Sequence, residues 1–430
     1  MIVFIRKYLF VVTLGICSGA FAQTNTISPY SQFGLGEIKD DLLPQFRAMG
    51  GISTGIRYLG YYHNINVSNP ASYGGIRMTS IDVGAYGNFS KLNKNSLSEN
   101  SSSFALSHLN FAMPITHQSA VSFGLMPFTE LGYKYSATSK LDTTPVNYVY
   151  SGEGGLSKAY MGYGIQLGKH LGIGANIGYI FGNLDKIQST EYPYQVEAYN
   201  VSNKNTQEIN GLSYDYGIQY FTNLSEKVML TIGYSGTAGN RLNNKTVNVV
   251  TRTATSVTED SENTALDSVK YLEGNEQKIR MPMTHRFGFS LASNKWVVGA
   301  DAHFSSWSRF AIGRVNQNLK DSYGGAIGAQ FTPNLNSLRY LNRMDYRLGL
   351  KYDKTYVNIR DHDINQVAIT AGLGIPIIPR ANIGAFYKIN FSAEFGQRGT
   401  LNNSLVKERY LNINLGFTLN DRWFQRYQFD

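Results

Sequence analysis

Histidines and neighbouring carboxylates are the side chains of this chain that could do acid–base or metal chemistry. The seven histidines are scattered without the short spacings at which zinc ligands recur: His63, His108, His117, His170, His285, His303 and His362. Asp301 and His303 lie two residues apart and would share one face of a strand, as an acid–base pair or as part of a hydrogen-bond network. Asp361-His362-Asp363 lies in a polar stretch typical of a solvated turn. We therefore predict no enzymatic activity, no metal site and no cofactor.

The start of the chain predicts export. A short basic patch precedes the apolar run 8–16, and the small-x-small pattern Ala20-Phe21-Ala22 follows it. This order is that of a secretory signal peptide, and the apolar run is shorter than the ~20 residues of a membrane-spanning helix. We assign residues 1–22 to the signal peptide. The single cysteine, Cys17, lies inside it, so the mature chain can form neither a disulfide nor a thiolate metal site.

The composition favours strands that face lipid on one side. The chain has 30 Tyr, 23 Phe and 43 Gly, and only 16% of its residues are charged. Such strands carry apolar residues at alternate positions only, which leaves the mean hydropathy moderate. The net charge of +9 is spread along the chain without a basic cluster, so we expect no nucleic-acid partner.

Alternation with a period of two residues recurs along the chain and indicates half-buried strands, for example at 171–181, 212–220 and 383–395. A Lys or Arg that faces lipid at mid-membrane costs ~2–4 kcal/mol, so the polar series must face inward. The charged residues on the polar series, which we expect to form a polar network in the lumen, are Asp82, Asp215, Arg286, Asp301, Lys388 and Glu394.

These runs predict a transmembrane antiparallel β-barrel of about fourteen strands over residues 76–419. A soluble β-sandwich also alternates, but its strands usually have ~5–6 residues, whereas oblique membrane crossing takes ~9–11. The predicted strands are 76–92, 103–115, 120–135, 157–168, 171–183, 208–221, 227–237, 281–292, 296–308, 322–332, 343–354, 365–376, 382–396 and 407–419.

Short and long connections alternate between these strands, as expected when tight turns lie at the periplasmic end and loops at the cell surface. The predicted long connections are 93–102, 136–157, 184–207, 238–280, 309–321, 355–364 and 397–406. We expect the longest, 238–280, to be a flexible loop, with partner docking as the alternative.

The third predicted strand is irregular. Pro127 removes a ladder donor, and the pattern shifts phase at Gly132-Tyr133. Such a break is typical of a bulge or a kink in a barrel wall. We therefore predict a wall kink at Pro127 and Gly132.

Residues 23–75 show neither strand nor helix periodicity, yet they are too rich in aromatic and aliphatic side chains for a disordered tail. A barrel of about fourteen strands encloses more space than its own side chains fill. The inward series also contains glycines that leave room against the wall: Gly172, Gly174, Gly178, Gly372 and Gly374. We predict that residues 23–75 fold into the lumen as a plug.

Two motifs of this segment, Phe46-Arg47-Ala48-Met49-Gly50-Gly51 and Asn69-Pro70-Ala71, are followed by the predicted barrel. In this order the chain resembles the FadL-type long-chain fatty-acid transporters of the bacterial outer membrane. The resemblance implies that Asn69, Pro70 and Ala71 are the motif of an N-terminal hatch. It also implies passive uptake of a hydrophobic small molecule, with sideways exit at a kinked strand, in contact with outer-membrane lipid and lipopolysaccharide.

The resemblance leaves a second function open, because some members of this broad family are subunits of outer-membrane complexes for protein secretion or barrel assembly and carry no lipid. An apolar lumen would favour uptake, and a sealed, polar lumen would favour the subunit. Residues 420–430 form a predicted periplasmic tail whose aromatic and basic residues could anchor it at the membrane surface or contact a partner.

Overall fold

The computed structural model describes residues 28–59, 64–141, 144–193, 198–253, 265–377 and 385–422. The predicted signal peptide and the end of the predicted tail, residues 423–430, lie outside these ranges. Twenty strands are described: β1 (Glu37–Ile38), β2 (Thr79–Lys94), β3 (Leu97–Thr116), β4 (Ser119–Leu141), β5 (Thr144–Leu167), β6 (Leu171–Glu191), β7 (Asn200–Ser225), β8 (Val228–Thr237), β9 (Arg241–Thr253), β10 (Ala265–Glu273), β11 (Gln277–Arg280), β12 (Thr284–Ser293), β13 (Trp296–Ser305), β14 (Ala311–Ile312), β15 (Val315–Asn316), β16 (Ser322–Phe331), β17 (Asp345–Ile359), β18 (His362–Ile377), β19 (Phe386–Gly399) and β20 (Lys407–Asp421). The helical segments in the described ranges are α1 (Pro44–Arg47) and the 3-10 turns Pro29–Gln32, Pro70–Gly75, Trp307–Arg309, Tyr340–Arg343 and Asn402–Ser404.

Fourteen of these strands, β2–β8, β12, β13 and β16–β20, form one closed antiparallel wall. Each strand pairs with its neighbours along the chain, and β20 returns to β2 in register from Asn93↔Lys407 to Thr79↔Asp421. A closed wall pairs its strands without leaving the two ends of the sheet free, which is what a sheet in lipid requires. The predicted all-β barrel of fourteen strands is confirmed, and each predicted strand overlaps one strand of the wall.

The wall carries its apolar side chains on the outside. On β12, Phe287 and Phe289 are exposed, whereas Gly288 and Ser290, which alternate with them, are buried. The same alternation exposes Ile177 on β6, Ile327 on β16 and Ile369 on β18. Opposite faces of a strand thus meet lipid and lumen, as in transmembrane barrels. None of the helices in the described part of the chain is long and apolar enough to cross a membrane.

Several predicted connections are wrong, because the strands continue through them. The β4–β5 ladder extends to Leu141↔Thr144, across most of the predicted loop 136–157, and the β6–β7 ladder extends to Thr190↔Val201, into 184–207. The predicted loops 93–102 and 355–364 are likewise hairpin ends, of β2–β3 and β17–β18. Above the lipid both faces of a strand meet water, so alternation disappears from the sequence while the hydrogen-bond ladder persists.

The predicted flexible loop 238–280 is also wrong over its described part. It contains β9, β10 and β11, and β9 pairs with the outer half of β7 from Asn200↔Thr253 to Asn210↔Asn243. Strand β11 joins β9 to β14 in the connection after β13. These strands therefore extend the sheet beyond the barrel rim.

The lipid-facing belt gives a stability prediction. Ile369→Arg on β18, where the side chain is 58% exposed, should lower the free energy of unfolding by about 2–4 kcal/mol, because it places a cation in hydrocarbon. The matched control Val315→Arg lies on β15, outside the wall, and should change it by less than about 1 kcal/mol. Urea unfolding in lipid vesicles measures both, and equal effects would contradict the lipid-facing assignment of β18.

Candidate functional site: the lumen and its hatch

The candidate site is the lumen, which holds the described part of residues 28–75, here called the hatch. Its apolar side chains Leu43, Phe46, Met49 and Ile52 are almost fully buried and pack against wall residues such as Val297. The first described residue of the hatch lies beside the middle of β4 and the outer end of β20, where the Ser28 N–H donates to the Gly132 carbonyl oxygen and the Ser28 hydroxyl to Glu408. The hatch therefore spans the lumen as a packed plug.

Glycines on the inner wall allow the hatch backbone to approach closely. A Cβ at Gly349 of β17 or at Gly174 of β6 would lie less than 3 Å from hatch backbone atoms of Gly50 or Pro70. Of the inward glycines singled out in the sequence, Gly172, Gly174 and Gly372 contact the hatch, whereas Gly178 and Gly374 face wall side chains. Any larger residue at the contacting positions would push the hatch from the wall.

The Asn69-Pro70-Ala71 motif forms the turn that seats the hatch on β5–β7. The Asn69 side chain accepts a bond from the Ala71 N–H at 3.2 Å and thereby caps the 3-10 turn Pro70–Gly75. Its amide group donates to the Thr54 carbonyl oxygen at 2.8 Å and so joins two parts of the hatch. All three motif residues are buried, and their role here is to fix the hatch backbone.

Asp301 of β13 holds the neighbouring part of the hatch, at Ser53 and Thr54. Its carboxylate accepts hydrogen bonds from the backbone N–H groups of Ser53 and Thr54 at 2.8 and 2.7 Å. His303 lies instead 3.5 Å from the Asp353 carboxylate. The structure therefore does not bring Asp301 and His303 together as an acid–base pair, and Asp301 anchors main chain. No group of three or more His, Cys, Asp or Glu suited to a metal ion occurs among the described residues.

Ion pairs connect the hatch to the wall in several directions. Arg398 of β19 donates to Glu37 at 2.7 Å. Lys158 of β5 lies between Asp41 of the hatch, at 2.8 Å, and Asp215 of β7, at 2.7 Å, and it is almost fully buried. Removing one partner of a buried pair typically costs ~3–5 kcal/mol, because the remaining charge stays buried. These pairs oppose any movement of the hatch away from the wall.

A second polar cluster lies among wall strands nearer the periplasmic end. Lys388 and Arg347 contact the Asp345 carboxylate at 2.5 and 2.8 Å. From Arg347 the hydrogen bonds continue through Asn390 and Thr418 to Asp82, and from Asp82 to His108. Of the residues predicted for the lumen network, the structure thus links Asp82 and Lys388.

The remaining predicted lumen residues lie elsewhere on the inner wall. Asp215 binds Lys158, and Glu394 accepts a hydrogen bond from the Tyr410 hydroxyl at 2.8 Å. Arg286 lines the cavity described next. The sequence reasoning did not single out Glu37, Asp41, Lys158 or Arg398. Lys158 lies at the start of a predicted strand and Arg398 in the predicted connection 397–406, where position alone does not show whether a charge faces the lumen or water.

A cavity of about 270 Å³ remains beside the hatch in the outer half of the barrel. Its lining includes six carboxylates and six basic side chains: Glu37, Asp40, Asp41, Asp301, Asp353, Glu394, Lys39, Arg47, Arg286, Lys351, Lys354 and Arg398. Near it, an apolar cluster joins the hatch residue Leu35 to Leu242 of β9, Ile279 of β11 and Phe310. The connections that the sequence predicts as surface loops thus pack onto the plugged lumen.

The wall is interrupted beside Pro127. The β4–β5 ladder shifts register between Pro127 and Thr129, and the β3–β4 ladder ends at Leu109↔Leu125. Beyond that point none of the β4 residues from Met126 to Tyr133 is exposed, which indicates that β4 turns inward there.

The hatch pairs with β4 along the edge where β3 no longer pairs with it. Strand β1 pairs with β4 through Glu37↔Glu130 and Ile38↔Thr129. Gly36 precedes it with a φ of +100°, and a Cβ there would lie 2.6 Å from the Glu130 carbonyl oxygen. Gly132, the second residue predicted for the kink, bonds Ser28 and Ser31 of the hatch. The break is therefore a docking site for the hatch.

Protonation of Glu37 provides a test of this docking. Burial raises the pKa of its carboxyl, but Arg398 and Lys39 outweigh burial and lower it from 4.5 to about 2. A lowered pKa means that the stabilisation is complete above about pH 4.5 and is lost as the pH falls through about 2. We expect Glu37→Gln to lower stability near neutral pH by on the order of 2 kcal/mol, less than for a fully buried pair.

Thermal unfolding of the wild type and of Glu37→Gln between pH 2 and pH 7 measures this difference. It should be constant above about pH 4.5 and vanish towards pH 2. Glu226→Gln in the exposed turn after β7 is the matched control and should follow the wild type at every pH. A Glu37→Gln difference that stays unchanged down to pH 2 would contradict the ion pair.

Solved structures share this fold at low sequence identity. The CymD monoaromatic hydrocarbon channel aligns with a TM-score of 0.54 and 14% identity over 91% of this chain and 99% of its own. The Pseudomonas putida toluene transporter TodX aligns with a TM-score of 0.57 and 15% identity, over 89% and 98%. A Pseudomonas aeruginosa FadL homologue aligns with a TM-score of 0.50 and 10% identity, over 83% and 93%. At these identities the likeness concerns the fold.

Sequence comparison gives the family. Among curated proteins none matches this chain. The sequence model of one family, described as BamG, matches residues 4–430, which is nearly the whole chain. By that match, the protein belongs to the BamG family.

Proposed function

We propose that this protein is a non-transporting barrel subunit of a bacterial outer-membrane complex for protein secretion or barrel assembly. The observation that carries the proposal is a lumen that is plugged by the hatch and lined by charges of both signs. A barrel with this interior serves best as a rigid membrane scaffold, whose outer surface contacts lipid, lipopolysaccharide and other subunits.

The chemistry of the cavity argues against an apolar cargo. Its twelve charged side chains would have to lose their ion partners or their water when a hydrocarbon entered, and that desolvation is costly. Binding sites for small apolar molecules are lined mainly by hydrophobic and aromatic side chains. Here the buried apolar side chains of the hatch are already packed against one another and against the wall.

The attachment of the hatch argues in the same direction. Three ion pairs hold the hatch to three separate wall strands. They are Arg398–Glu37, Lys158–Asp41 and Lys351–Asp40, the last at 3.3 Å. Opening the lumen would break all of them together with the β1–β4 pairing. The hatch therefore behaves as a part of the wall.

Passive uptake of a hydrophobic small molecule is the second candidate. It is favoured by the shared fold with the hydrocarbon channel CymD and the toluene transporter TodX, and by the break in the wall beside Pro127. In this function the hatch must move to open a path from the lumen to the break.

Depletion of the protein tests the proposed function. We expect the protein, extracted in mild detergent, to migrate in a discrete complex with other outer-membrane barrels. We also expect its depletion to lower the amounts of folded outer-membrane or secreted proteins severalfold, because the machine loses a scaffold. Quantitative proteomics and heat-dependent gel mobility measure this. A solitary barrel, with an unchanged outer-membrane proteome after depletion, would refute the subunit function.

A locked hatch separates the two candidates. Ile38→Cys and Thr129→Cys replace a directly opposed pair in an antiparallel ladder, where Cα atoms lie about 4.5–5.5 Å apart, within disulfide range. The mature chain should have no other cysteine. We expect the oxidised variant to support assembly or secretion as the wild type does. Each single-cysteine variant is the control, and loss of hydrocarbon uptake only in the oxidised double variant would favour transport.

A further inference from the structure

Strand β3 has an open edge between Ser102 and Ser107 in the described part of the chain. Strand β3 pairs with β2 from Leu97 to Ala112, but with β4 only from Leu109 to Thr116. Across the described residues, β2 is thus the only strand in register with β3 between Ser102 and His108. The reason is the inward turn of β4 at Pro127, after which the β4 edge is taken by β1 of the hatch.

Part of this edge lies at the depth of the lipid-facing belt. Ser102 of β3 is in register with Phe89 of β2. The same row of the sheet continues through Leu411 of β20 to Phe395 of β19. Phe89 and Phe395 face outward and are exposed. At this depth water does not satisfy backbone N–H and C=O groups, and each unsatisfied group costs several kcal/mol. The edge therefore requires a partner that supplies backbone donors and acceptors.

The side chains along the edge do not protect it. Proteins blunt open edges with charged residues or proline, but residues 102–107 contain neither. The β2–β3 register shifts between Gly84 and Ala85, which leaves Ser107 of β3 without an opposite residue, and Phe104 and Leu106 on the outer side of this bulge are highly exposed. Small serines at 102 and 103 leave the adjacent backbone accessible. This pattern is typical of an edge that accepts another strand.

We propose that the outer edge of β3, Ser102 to Ser107, is the site where an extended strand of a partner membrane protein adds to the barrel wall. This inference rests on the proposed subunit function and names the surface through which the subunit is held. A lipid or hydrocarbon in the break could cover Phe104 and Leu106 but could not bond the backbone. The same break already holds one added strand, because β1 pairs with the β4 side.

Photocrosslinking within the native complex tests the location. A benzoylphenylalanine replaces Phe104, and the matched control replaces Ile177, which is similarly exposed but lies on β6, whose two neighbours pair with it at that position. We expect one protein adduct from position 104, at least tenfold stronger than from position 177. Equal yields, an adduct with lipid alone or an adduct with a second copy of this chain would overturn the proposal.

Hydrogen exchange tests the backbone pairing itself. In the isolated barrel, alternate amides of residues 102–107 should exchange rapidly, because only the N–H groups that point towards β2 are bonded to a described strand. In the complex the rapid class should become protected at least tenfold, whereas peptides from 171–183 should be protected in both samples. Identical exchange of 102–107 in the two samples would overturn the strand addition.

The two levels of the proposal fail differently. If the complex is isolated but neither measurement changes at β3, the edge assignment is overturned and the subunit function stands. If the barrel is solitary in the native extract, the subunit function and the edge assignment are both overturned.

Discussion

The structure depends on one constraint: backbone N–H and C=O groups at membrane depth must be bonded to protein. Closure of β20 onto β2 meets it around most of the wall. Where β4 separates from β3 at Pro127, the hatch strand β1 bonds the backbone of β4 by pairing with Thr129 and Glu130. The kink and the plug therefore depend on each other, since the inward turn of β4 creates the edge with which the hatch pairs.

Charge inside the barrel reinforces this arrangement. Lys158 lies buried between a hatch carboxylate and a wall carboxylate, Asp41 and Asp215, so neither the hatch nor the wall is satisfied without the other. Asp301 also fixes uncharged backbone, because its carboxylate accepts hydrogen bonds from two N–H groups of the hatch. A lumen built from paired charges holds its plug firmly and gives an apolar cargo little to bind. These properties support the proposed scaffold function.

The sequence predicted the wall strands where lipid imposes alternation, as at 171–183 and 365–376, both of which lie within observed strands. It failed above the membrane, where β4, β5, β6 and β7 continue through segments that were expected to be loops. There both faces of a strand contact water, so no periodic signal distinguishes a strand from a loop. The strands β9 to β11 were missed for the same reason.

By itself the sequence determined the barrel and the inward face of Asp82, Asp215 and Lys388, because strand periodicity is local and a charge in lipid is costly. Only the tertiary structure decided which inward groups meet. Glu37 and Arg398 are separated by 361 positions along the chain, and their contact exists only after the wall closes around the hatch. The same closure decided that Asp301 anchors hatch backbone and that β1 occupies the edge of β4, since no local pattern records which distant strand will lie alongside.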